Sequence, residues 1–115
     1  MLFAVTAGAD IVTGASKLAE QGNGVGALVY DAVGSEMVDG ATAWIQQYLN
    51  QQFKRSNEVL TKRRFSPGYG DLDLKNQLVL FNLLDIEKLG VKLTDDFLMV
   101  PEKTVTAIAG IEKIN

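Results

Sequence analysis

The chain has 115 residues, 47% of them hydrophobic and 22% charged, and carries a formal net charge of −3. That length holds one domain, residues 1–115, expected to bury roughly two-thirds of the surface its unfolded form exposes. The acidic balance speaks against a nucleic-acid binder, which shows a basic excess. With no Cys and no His, disulfides, thiolate metal sites and imidazole bases are excluded.

Leu2 to Thr6 is apolar and β-prone and ends at Gly8, so a buried strand is expected. The start is too short to span a membrane and lacks a basic n-region, which makes a signal peptide a poor reading and a cytoplasmic location the default. A chain opening on a core strand leads us to expect a preceding segment, a covering partner or a homodimer at that edge. Asp10 then reads as an N-cap, with Ile11, Ala15, Leu18 and Ala19 at helical spacing up to Gln21-Gly22. Gly22-Asn23-Gly24-Val25-Gly26-Ala27 has the form G-x-G-x-x-A. A helix precedes it where the dinucleotide fingerprint needs a strand, so it reads as a helix–helix turn.

From about Val25 to Phe53 the pattern is helical. Val33, Met37, Ala41, Trp44, Tyr48 and Leu49 step by threes and fours into an apolar stripe, most simply core. Gly34 and Gly40, poor helix formers, suggest close approach of a neighbour. Lys54, Arg55, Lys62 and Arg63 read as a basic edge, solvated or facing an anionic partner. Asn57 to Thr61 reads as the lead into a loop. A further helix, capped by Asp71 or Asp73, is expected from about Leu74 to Leu89 and is apolar over enough of its surface to be buried on more than one side. Gly90 fits its C-terminal glycine. Phe97 to Val100, a turn at Pro101, and Val105 to Gly110 read as a hairpin. With strands from both ends and helices between, the expected fold is α+β: a small antiparallel sheet with helices packed on one face.

The stretch Lys62-Arg63-Arg64-Phe65-Ser66-Pro67-Gly68-Tyr69-Gly70 stands apart. Pro67 stiffens it, and Gly68 and Gly70 give the backbone freedom beside Tyr69. A guanidinium, an aromatic hydroxyl and free backbone groups suit a small polar ligand with a carboxylate. A plain loop between two helices is the alternative.

Arg64-Phe65-Ser66-Pro67-Gly68-Tyr69 resembles the Arg-x-x-Pro-Gly-Tyr loop of the activation domain of cobalamin-dependent methionine synthase. Leu80 to Thr94 is similar to the helix and turn that follow that loop, and Met99 to Ile108 to its closing hairpin. Leu2 to Thr6 and Leu28 to Glu36 also fit. The resemblance covers the later part of the family's domain. It implies an S-adenosylmethionine site in which Arg64 meets the methionine carboxylate, Tyr69 lies beside the ligand, and Ser66 and Gly68 belong to the loop whose backbone meets the adenine. Glu58 and Asp39 stand where the family has acidic residues, suited to a sulfonium and an ammonium. A further acidic ligand residue of the family lies in an upstream segment that has no counterpart here. The implied role is reactivation: S-adenosylmethionine is positioned for reductive methylation of cob(II)alamin on a partner corrinoid domain, with a flavodoxin-type donor. That task asks the protein for positioning rather than for acid–base chemistry. The alternative is a binding or assembly module of the same fold that has lost its ligand.

Overall fold

The computed structural model describes residues 1–114. The elements run β1 (Leu2–Thr6), α1 (Asp10–Glu20), α2 (Gly24–Lys54), β2 (Glu58–Phe65), α3 (Asn76–Leu83), a 3-10 turn (Ile86–Leu89), β3 (Lys92–Leu93), β4 (Met99–Val100) and β5 (Thr104–Lys113). The fold is α+β. Its main sheet is antiparallel with strand order β1-β5-β2, and β3 and β4 form a separate two-stranded ribbon.

The sheet is built around β5. On one side Phe3 faces Ala107 and Val5 faces Val105; on the other Glu58 faces Lys113 and Leu60 faces Ile111. The ladder along β2 then skips, resuming with Arg64 opposite Ala109. Three residues of β2, Thr61 to Arg63, therefore stand against Gly110 alone. With three residues against one, this bulge keeps parity, so Leu60 and Arg64 point to the same face of the sheet. Thr61 anchors it: its hydroxyl donates to the Arg63 carbonyl and accepts from the Gly110 N–H, both at 3.0 Å.

Helices α1 and α2 form a hairpin joined at Gly22-Asn23, as the glycine-rich stretch led us to expect. The Asn23 side chain caps α2 by accepting from the Gly26 N–H at 2.9 Å. Asp10 is the first helical residue of α1 rather than its cap, and Ala9 before it offers no side-chain bond. On α2 the buried residues are Gly34, Val38, Thr42 and Gln46, one every fourth position. Gly34 admits close neighbours: a Cβ there would lie 3.1 Å from Lys103 Cγ and 3.3 Å from Ile11 Cγ1.

Several expectations are corrected. The segment 58–65 is a strand, not the approach to a loop. β4 pairs with β3, so no hairpin joins it to β5. The helix expected over 74–89 breaks at Asp85, which adopts a left-handed φ of 53°. Leu80 and Ile86 are buried, but Leu78, Val79, Leu83 and Leu89 are exposed, so this helix is not covered on several sides. The stripe on α2 is not core either: Val33, Met37, Trp44 and Tyr48 lie on the surface, Trp44 63% exposed. Trp44 and Tyr48 stack on each other there, with centroids 5.5 Å apart.

The core is correspondingly small: Phe3, Val38, Leu60, Leu80, Ile86, Val91, Ala107 and Ala109. The chain exposes 7844 Å², against about 6,200 Å² for a typical 12.5 kDa monomer. It buries about 57% of its unfolded surface, less than the two-thirds expected. It is elongated, 57 × 28 × 27 Å. No helix among the described residues is long and apolar enough to cross a membrane.

Candidate functional site

The site forms where α2 crosses the bulged strand. Because the bulge keeps parity, Arg64 leaves β2 on the face that α2 packs against. Its Nη1 donates to Gln46 Oε1 at 2.6 Å. Gln46 is only 8% exposed, and its other end, Nε2, donates to the Thr61 carbonyl at 2.7 Å. One side chain thus holds both the bulge and the guanidinium beyond it.

Arg64, Asp39, Thr42, Ser66 and Tyr69 line one open cavity of about 320 Å³, closed on the sheet side by Val105, Thr106 and Ala107 of β5. Asp39, Thr42 and Gln46 come from one side of α2, three and four residues apart. The Thr42 hydroxyl donates to the Val38 carbonyl at 2.7 Å, which leaves its lone pairs free to accept. Arg64 and Asp39 face the same cavity without pairing: the ion pairs among the described residues are Lys88–Asp85 and Lys103–Asp31. A site with a cation and an anion held apart suits a zwitterion.

The loop after β2 is formed by its own backbone. The Tyr69 N–H donates to the Ser66 carbonyl at 3.2 Å, and the Gly68 N–H to the Leu72 carbonyl at 2.9 Å. The Ser66 hydroxyl donates to the Thr106 carbonyl at 2.6 Å, tying the loop to β5. Pro67 is buried. Gly68 takes a φ of +93° with Leu74 Cδ1 3.1 Å from where a Cβ would be. That position accepts glycine for both reasons. Tyr69, 74% exposed, projects from the loop.

Of the six residues singled out from the sequence, Arg64, Asp39, Ser66 and Tyr69 share this cavity. Gly68 lines the adjoining one, about 540 Å³, together with Pro67, Leu74, Gln77 and Glu102, and Tyr69 stands between the two. Glu58 lies at the far end of β2 opposite Lys113, outside both. Thr42 and Gln46 escaped the sequence reading. They look like ordinary polar positions of a long helix, and only the four-residue step shared with Gly34 and Val38 marks them as its packed face.

A family model described as "Vitamin B12 dependent methionine synthase, activation domain" matches residues 1–113. The chain belongs to this family. The match spans every strand and helix described above, so the activation-domain loop, Arg64 to Tyr69, and the face of α2 opposite it lie wholly within it. No match is found among curated proteins.

S-adenosylmethionine, the ligand the resemblance implies, fits the donor set. Its methionine end is a zwitterion and its sulfonium a second cation; Arg64 matches the carboxylate, and Asp39 matches one of the two cations. Each of the two cavities at Tyr69 falls within the roughly 300–1,000 Å³ of small-molecule sites.

Proposed function

We propose that this activation-domain chain binds S-adenosylmethionine between α2 and the Arg64–Tyr69 loop and positions it for reductive methylation of cob(II)alamin on a partner corrinoid domain. The observation that carries this reading is the meeting of Arg64, Asp39, Ser66 and Tyr69 around one cavity. Arg64 receives the methionine carboxylate through a charge-assisted fork. Asp39 faces the ammonium or the sulfonium. The loop spends its Gly68 and Tyr69 N–H groups on itself, which leaves the Pro67 and Gly68 carbonyls to accept from the adenine amino group and the Tyr69 ring as a surface to lie on. The methyl donor and the corrin supply the chemistry; this chain's residues bind and orient. The reading names a flavodoxin-type donor as reductant, a second copy of the chain as a further partner, and the cytoplasm as the setting.

The test is ligand-induced thermal stabilisation. S-adenosylmethionine at one hundred times its dissociation constant stabilises a binder by about 2.7 kcal/mol. A melting curve unmoved by millimolar ligand overturns the reading.

A second reading is supported by the surface. The exposed stripe on α2 and the excess of exposed area are those of a chain that docks against something apolar. In that reading the fold is an assembly module contacting a corrinoid protein or its own copy, without a ligand.

A further inference from the structure

We infer that Gln46 is a positioning residue that makes the site select ligands carrying a carboxylate. The inference rests on the binding reading above for its ligand, and on geometry alone for its mechanism. An arginine side chain has four rotatable bonds, and an exposed one spreads its charge over many directions. Arg64 does not: Gln46 Oε1 takes its Nη1 at 2.6 Å. Among the described residues this is the one side-chain bond Arg64 makes, so its remaining N–H groups are left for the cavity it lines.

Gln46 is itself fixed. It is buried, and its Nε2 is spent on the Thr61 carbonyl inside the bulge. That second bond sets which way the amide faces: the nitrogen goes to a carbonyl, so the oxygen goes to the guanidinium. The chain of contacts runs from the bulge backbone through one amide to the ligand-facing cation. A neutral acceptor matters here. A carboxylate at position 46 would satisfy Arg64 equally well but would neutralise it, leaving less for a ligand's own carboxylate, and, having no N–H, would give up the bond to the Thr61 carbonyl. An apolar side chain would free the guanidinium to wander. Glutamine orients the charge without cancelling it.

Two substitutions separate these effects. Binding of S-adenosylmethionine and of its decarboxylated analogue is measured by calorimetry for the wild type, Gln46→Leu and Gln46→Glu. The wild type is expected to prefer the carboxylate-bearing ligand. In both variants that preference falls about tenfold, while affinity for the decarboxylated analogue stays within twofold. A merely structural role weakens both ligands alike, and that result overturns the inference. A ligand-free arm decides the matter independently. The chain has three arginines, Arg55, Arg63 and Arg64, so the guanidinium signals are few enough to assign by nitrogen-15 NMR. Arg64 is expected to show restricted rotation in the wild type, free rotation in Gln46→Leu and stronger restriction in Gln46→Glu. Identical guanidinium dynamics in all three refutes the positioning role. A wild type that binds neither ligand while showing the expected guanidinium pattern sinks the ligand reading and leaves the clamp standing.

Discussion

Replacing Arg64 with alanine tests the site and its separation from the fold in one variant. A hydrogen bond to a charged group contributes about 1.5–3 kcal/mol, so loss of the guanidinium–carboxylate contact should weaken S-adenosylmethionine binding by roughly 10- to 150-fold. The structural cost is smaller. Arg64 is exposed and the variant removes one bond, that from Nη1 to Gln46. Gln46 keeps its bond to Thr61, and its Oε1 gains access to water through the space the arginine leaves. About 1 kcal/mol of stability is lost, a melting point lower by about 3–6 °C. Calorimetric titration at 25 °C reads the first quantity and a thermal melt the second. Arg64→Lys keeps the charge but not the fork and should fall between the two. Wild-type binding that survives in Arg64→Ala within twofold refutes the assignment. A variant that fails to fold refutes the claim that the site is separable from the scaffold.

Three further outcomes follow from the backbone. Gly40 sits mid-helix with nothing within 4 Å of where a Cβ would stand; Gly40→Ala should stabilise by about 1 kcal/mol, and a lower melting point would contradict it. Gly68→Ala meets a left-handed φ as well as Leu74. A cost of about 1–2 kcal/mol is expected from the conformation alone, with weaker ligand binding, read by denaturant unfolding and calorimetry; wild-type values in both would contradict the account of the loop. Deleting Lys62 alone changes the parity of β2 and turns Arg64 and Phe65 to opposite faces, whereas deleting Lys62 and Arg63 together restores an even ladder. Circular dichroism melts should show the single deletion less stable than the double one; the reverse order would refute the register.

The helical hairpin and the loop were legible because they rest on local chemistry: glycines and Asn23 at the turn, Pro67 and Gly68 in the loop. Strand β2 was not. Glu58-Val59-Leu60-Thr61-Lys62-Arg63-Arg64-Phe65 carries four charges and no sustained alternation, since Lys62, Arg63 and Arg64 in a row put basic residues on both faces. Its pairing with β5 spans some fifty residues of sequence, and no local pattern announces such a partner. The stripe on α2 shows another limit. Periodicity finds an apolar face but does not tell which face the fold covers. Here the buried face of α2 is Gly34, Val38, Thr42 and Gln46, a glycine, one valine and two hydrogen-bonded polar residues, and the bulkier apolar side chains are left outside. Arg64, Asp39, Ser66 and Tyr69, which line one cavity, were singled out by the family resemblance rather than by their pattern. Gln46 was not, because its meaning depends on two bonds to a strand the sequence did not announce.

The uncovered face of α2 sets the calorimetric character of the protein. Unfolding a globular chain of 115 residues raises the heat capacity by about 1.4–1.7 kcal/mol/K, chiefly through newly wetted apolar groups. Here Trp44, Tyr48, Met37 and Val33 are already about half exposed in the native state. The increment is smaller, the curve of stability against temperature is flatter, and the denaturant dependence is shallow. Whatever settles on that helix therefore announces itself in the folding thermodynamics: it draws water off the stripe, steepens both dependences, and gives the association a negative heat-capacity change of its own.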